Sequence, residues 1–139
     1  MKCLSLRQPF ADLLVSGKKT IELRKWNTNF RGRFLIHVSK NVNKEKCKSL
    51  GIDHTKLNVG AIIGRATLYD VKRYDNINQF TRDRSRHYAD ANIFDSYIYG
   101  FKIKNAQRLR SPVQWLGQLG FFEVDQSVIN TSDTPSKFT

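Results

Sequence analysis

Between Arg7 and Lys40 the sequence places eight cations, Arg7, Lys18, Lys19, Arg24, Lys25, Arg31, Arg33 and Lys40, against two acids, Asp12 and Glu22. Lysine and arginine neutralise phosphates and release their counterions, and arginine adds a planar fork that matches a phosphate or a base edge. Trp26 and Phe30 lie among these cations. Trp26 is of the type that stacks on an unpaired base, a contact worth about 1–3 kcal/mol, and equally of the type that fills a core. Glu22 is the informative residue, because a lone acid in a basic stretch repels phosphate. Three roles suit it: a structural partner for Lys19 or Arg24, an acceptor for the exocyclic amine of a base, or a general base beside Lys19. The chemistry expected of the set is recognition of a polyanion, with acid–base catalysis as the alternative.

The whole chain carries the same bias. Its 24 Lys+Arg against 12 Asp+Glu give a formal net charge of +12 and a pI near 10.0. Such a field attracts polyanions and speeds their encounter. Cys3 and Cys47 are too few for a disulfide framework and form no CxxC, and His37, His54 and His87 are scattered, so no metal or cofactor is expected. No apolar run approaches the ~18 residues of a membrane span, and Arg7 and Asp12 interrupt any leader-like region, so an intracellular protein is expected. Ser5, Ser39, Thr20 and Cys3 are available nucleophiles, but no spacing singles one out. Arg82, Arg84 and Arg86 spread over more than one side of a helix, which suits a solvated face. Tyr97 and Tyr99 share a strand face with Phe101, which suits packing.

These residues need elements to hold them. At 139 residues one domain is expected. An opening strand over 1–6 leads to a helix from Pro9 to Ser16, with apolar residues at helical spacing and Gly17 as its stop. Thr20 to Arg24 alternates: Ile21 and Leu23 point to a core, Thr20, Glu22 and Arg24 away from it. Further strands are expected over 33–39, 60–74, 96–109 (ended by Pro112) and 121–124, with Gly64 marking a bulge. Helices are expected over 43–50 and 76–89. From Asp125 the composition turns to Ser, Thr, Asp, Asn and Pro, so 125–139 is expected to be a disordered polar tail behind a domain over 1–124. About five strands without a βαβ rhythm argue for an α+β domain built on a small mixed β-barrel.

Taken together, Cys3-Leu4-Ser5-Leu6-Arg7-Gln8-Pro9-Phe10-Ala11, Leu13-Leu14 and Gly17-Lys18-Lys19-Thr20-Ile21-Glu22-Leu23-Arg24 resemble an ASCH domain, a branch of the PUA-like superfamily. Gly17, Lys19, Glu22 and Arg24 fill that family's glycine-x-lysine-x-x-glutamate-x-arginine pattern position by position. Trp26, Thr28, Arg31-Gly32-Arg33 and Ile36 further resemble the ASCH domain of the transcription coactivator that names the family. The resemblance spans residues 2–124. It implies a β-barrel of five to six strands with short flanking helices and a cleft between the first helix and the barrel. It also implies binding of RNA or DNA, and the basic loops with an aromatic favour single strands or exposed bases; a monomer is expected, and an acidic protein partner is a further reading of the same basic face. The nucleic-acid-binding set is then Arg7, Gln8, Lys18, Lys19, Glu22, Arg24, Lys25, Trp26, Arg31, Arg33 and Lys40. Some relatives are hydrolases, either ribonucleases or amidohydrolases that deacetylate acetylated cytidine. The amidohydrolases use a lysine, a threonine and a glutamate. Here Lys19 matches the lysine, but the threonine position carries Glu22. Thr20 is the nearest hydroxyl, so Lys19, Glu22 and Thr20 are the alternative catalytic set.

Overall fold

The computed structural model describes residues 1–132. Six strands form a single mixed sheet: β1 (Lys2–Gln8), β2 (Ile21–Arg24), β3 (Gly32–Val42), β4 (Ala61–Tyr74), β5 (Ile98–Gln114) and β6 (Phe121–Glu123). Their order across the sheet is β2-β5-β4-β3-β1-β6. β1 runs parallel to β3, and the other pairs are antiparallel. Five short helices flank the sheet: α1 (Phe10–Val15), α2 (Lys44–Ser49), α3 (Ile77–Arg82), α4 (Arg84–His87) and α5 (Gln126–Ser132). The α+β class and strand count are as expected. The barrel is a sheet whose outer strands, β2 and β6, form no ladder with each other among the described residues. Side chains bridge that gap instead. Arg24 of β2 donates to the Ser5 carbonyl of β1 at 2.8 Å, and Phe101 of β5 stacks on Phe121 of β6 at 6.3 Å between centroids.

Alternation in β3 explains why both faces of the sheet are covered. Phe34, Ile36 and Val38 enter the main core with Leu14 and Val15 of α1. Leu35, on the opposite face, packs with Cys3, Ile62, Phe122 and Ile129. Ile129 belongs to α5, so the polar tail expected from Asp125 is in part a helix. Asp125 accepts the Ser127 N–H at 2.9 Å at the start of α5, and Ile129 supplies the buried contact. Residues 133–139 lie outside the described residues.

α1 begins one residue after Pro9. Its first turn is satisfied by Gln8, whose side-chain oxygen accepts the Asp12 N–H at 3.0 Å. Gly17 follows the helix at φ +84°, a conformation that favours glycine. Two expectations are corrected. The helix expected over 76–89 is two short helices broken at Asp83, whose carboxylate is held by the Tyr74 hydroxyl at 2.5 Å and by Lys72 at 3.1 Å. The strand expected to stop before Pro112 runs on to Gln114. Pro112 lies between the Ile62–Val113 and Gly64–Arg108 pairs, where β5 carries four residues against one in β4. A residue without an N–H is tolerated in such a bulge, where the ladder makes no demand on it.

Gly64 sits at that bulge. A Cβ there would lie 2.1 Å from Val15 Cγ2 and 2.6 Å from the Gln107 carbonyl oxygen. This close approach seats α1 on the sheet and so fixes the helix that walls the site. Gly64→Ala is expected to lower the unfolding free energy by about 1–3 kcal/mol in urea titrations, the usual cost of overpacking. Adding Val15→Ala is expected to recover only part of that loss, because the Gln107 backbone stays in place.

Candidate functional site

α1 is short, and the chain returns through Gly17 directly into β2, so Lys19 lies at the strand entrance with its side chain buried. All three ammonium donors are engaged: the Ile21 carbonyl at 2.5 Å, the His87 carbonyl at 3.0 Å and Glu22 Oε1 at 3.2 Å. Glu22 is 8% exposed, and its second oxygen accepts from Arg24 Nε at 2.8 Å. Arg24 Nη2 then crosses to Ser5. A carboxylate has about four lone-pair sites, so Glu22 retains acceptor capacity beyond its two ion-pair bonds.

Burial disfavours the charged form of both partners. It is the main influence on Lys19 and pulls its pKa below the ordinary lysine value, against the opposing pull of Glu22. For Glu22, burial pushes the pKa up, but the charges and hydrogen bonds of Lys19 and Arg24 together outweigh it and hold the carboxyl below its ordinary range. Glu22 is therefore an ionised acceptor at neutral pH. His87, which positions the acceptor for Lys19, is locked as well. Its Nε2–H donates to the Phe80 carbonyl at 2.8 Å, and its Nδ1 accepts the Ala89 N–H at 3.0 Å. Burial lowers its pKa and keeps it neutral.

Above this cluster opens a cleft of about 260 Å³. Lys19, Glu22 and Arg24 line it together with Arg7, while Phe10, Leu23 and Ile93 supply apolar wall. Arg7 is exposed, with its guanidinium 6.0 Å from the Phe10 ring. The structure thus brings together Arg7, Lys19, Glu22 and Arg24 from the expected set.

The other expected residues are placed elsewhere. Gln8 is fully buried and donates to Asp12 at 3.0 Å and to the Asn58 carbonyl at 3.1 Å. Lys18 is exposed outside the cleft lining. Thr20 is also outside that lining; it precedes β2, with its N–H on the Arg86 carbonyl and its own carbonyl accepting from Ile103. Lys25 pairs with Asp95, and Arg31 donates to the Thr28 and Phe30 carbonyls at 2.9 and 2.8 Å. Trp26 sets its ring edge-on against Phe101 and Phe121, at 5.3 and 5.9 Å, across the gap between the outer strands. Arg33 lines a separate concavity with Arg65 and Thr67. Lys40 lines a third, which adjoins the cleft.

The family model of the ASCH domain matches residues 4–113. The chain belongs to the ASCH domain family. Its fold is similar to that of the ASCH protein from Zymomonas mobilis, with a TM-score of 0.67 at 18% identity, covering 91% of this chain and 89% of that one. A tyrosine-to-phenylalanine variant of the Zymomonas mobilis protein aligns with a TM-score of 0.68 at 17% identity, covering 94% of each chain. A serine-to-alanine variant of the same protein gives 0.67 at 17% identity over 94% of this chain and 92% of that one. No curated protein gives a significant match.

Within this ASCH domain, sequence reasoning missed His87, Ala89 and Ile93, which line the far side of the cleft. The one signal pointing to them was the buried ammonium's need for acceptors, which is invisible until Lys19 is known to be buried. Of the available nucleophiles, Cys3 is set aside by burial, which pushes its thiol up to about 12.

Removing one member of a buried ion pair leaves the other uncompensated, so Glu22→Gln is expected to destabilise the domain by about 3–5 kcal/mol. The pH dependence has a defined sign. Because the folded carboxyl lies below the ordinary value of 4.5, its stabilisation is complete above that value and is lost as pH falls through the folded one. The difference in unfolding free energy between wild type and Glu22→Gln should therefore be largest near neutral pH and shrink below pH 4.5.

Proposed function

We propose that this ASCH domain binds nucleic acid, RNA or DNA, by admitting an unpaired base into the cleft while cations at its rim hold phosphates. The observation that supports this reading most is the cleft floor. The ionised Glu22 carboxylate, an acceptor, lies beside Arg24, whose Nη1 donors have no protein acceptor among the described residues. A donor and an acceptor side by side between apolar walls complement the edge of a base. In a domain of net charge +12, phosphate attraction needs no acid, so Glu22 supports recognition of a base.

The geometry favours binding over amide hydrolysis. The three donors of Lys19 are spent on Ile21, His87 and Glu22, which leaves the nitrogen no lone pair for base or nucleophile work. Thr20, the alternative hydroxyl, does not line the cleft.

Fluorescence titration with a single-stranded oligonucleotide across a salt series tests the two parts of this reading separately. Arg7→Glu is expected to weaken binding and to make the log–log salt slope shallower by about 0.7, the share of one phosphate contact on a single strand. Ile93→Ser, which removes apolar wall without changing charge, is expected to weaken binding about fivefold with the slope unchanged. Affinity insensitive to both substitutions would place the nucleic acid elsewhere or remove it from the account.

A further inference from the structure

The cleft is not isolated. A second concavity of about 440 Å³ adjoins it, and Ser5 and Arg24 line both. The Ser5 side of the second concavity is built from fixed partners. His37 Nε2 lies 2.7 Å from the Trp115 carbonyl, an obligate acceptor, so the ring's proton is on Nε2. His37 Nδ1 is then the acceptor for the Ser5 hydroxyl at 2.8 Å. The backbone at Gly117 packs directly over this pair: a Cβ there would lie 2.7 Å from His37 Cε1 and 3.1 Å from Ser5 Oγ. Burial lowers the His37 pKa and keeps the ring uncharged.

The two lobes differ in chemistry. The first has a carboxylate at its floor, already shared between two cations. The second has no carboxylate in its lining and two cations, Arg24 and Lys40. Beside those cations the loop over 115–120 holds apolar side chains out in solvent, with Leu116 80% and Leu119 99% exposed. A concavity that joins two cations, with no carboxylate in its own lining, to an exposed apolar edge suits a ligand with a phosphate and a flat apolar face.

We infer that the two concavities form one site for two successive nucleotides of a single strand: a base in the first lobe, the linking phosphate held between Arg24 and Lys40, and the next nucleotide in the second lobe, with the 115–120 loop against its base. This rests on the nucleic-acid reading above and adds the minimum length and path of the strand. Arg24 is the hinge of the assignment. Its Nε and Nη2 are fixed by Glu22 and Ser5, and its remaining fork edge is available where the lobes meet.

The test compares cytidine, cytidine monophosphate and the dinucleoside monophosphate CpC, with the deoxy series alongside, on the full chain by isotope-edited NMR and titration at low salt. Cytidine is expected to move amides around Leu23 and Ala89. CpC is expected to move these and also Lys40, Gly117 and Gln118, and to bind at least about tenfold tighter than cytidine, as an added charge-assisted contact allows. Lys40→Met is expected to remove most of that gain and to leave cytidine binding unchanged. Saturation by CpC without movement of Lys40, Gly117 and Gln118 would overturn the second subsite while leaving the base cleft standing. A tenfold gain that survives Lys40→Met would overturn the role of Lys40. If neither ligand series moves the first-lobe amides, the base-cleft reading fails and this inference fails with it.

Discussion

One buried carboxylate holds the working end of this domain together. Glu22 lies between Lys19 and Arg24, and each cation is tied in turn to a distant backbone carbonyl, His87 for Lys19 and Ser5 for Arg24. Taking three charged groups out of water costs several kcal/mol per ion unless their geometry and hydrogen bonding are good. Here the geometry meets that condition, because Lys19 satisfies every donor within 3.2 Å and both Glu22 oxygens are bonded. The same bonds place elements. The edge strand β2 is joined to β1 across the gap in the sheet, and the C-terminal end of α4 is drawn against the start of β2.

That arrangement changes what the surplus of positive charge means. Four of the eight cations between Arg7 and Lys40 are engaged within the domain or face elsewhere. Lys25 serves Asp95, Arg31 serves its own loop, Lys19 serves the cluster and Arg33 faces a different concavity. Under the proposed function, net charge draws a polyanion toward the domain, and the surface to meet it is narrower than the count of basic residues suggests. Arg7, Lys19, Arg24 and Lys40 line the two adjoining lobes, and Lys19 is already engaged in the buried cluster.

Much of the fold was legible because its signals are local. Gly17 ends a helix, Asn76 opens one, and Gly64 lies at a bulge, each for reasons contained in a few residues. The oddity of Glu22 was legible for the same reason. The burial of Lys19 was not, since its decisive acceptor lies 68 residues away, and no periodicity reports a carbonyl. Trp26 was ambiguous because stacking on a base and packing on Phe121 ask for the same ring. In the fold its ring packs edge-on against Phe101 and Phe121, while 36% of the residue stays exposed. The helix over 126–132 was hidden by composition, because one buried isoleucine in a polar segment leaves no periodic signature. Leu23 was assigned to the core by alternation, yet it both packs toward Tyr74 and Phe80 and lines the cleft, a double role that a half-buried edge strand permits.

The proposed base recognition depends on Glu22 being an ionised acceptor at the floor of the cleft. The direct measurement is the carbon-13 shift of its side-chain carboxyl through a pH titration, with and without a short single-stranded oligonucleotide. The predicted result is a midpoint below the ordinary value of 4.5 in the free domain and a distinct shift of the same resonance when the strand binds. A carboxyl that titrates at or above the ordinary value, or one that does not respond to a strand bound at saturation, would contradict that role.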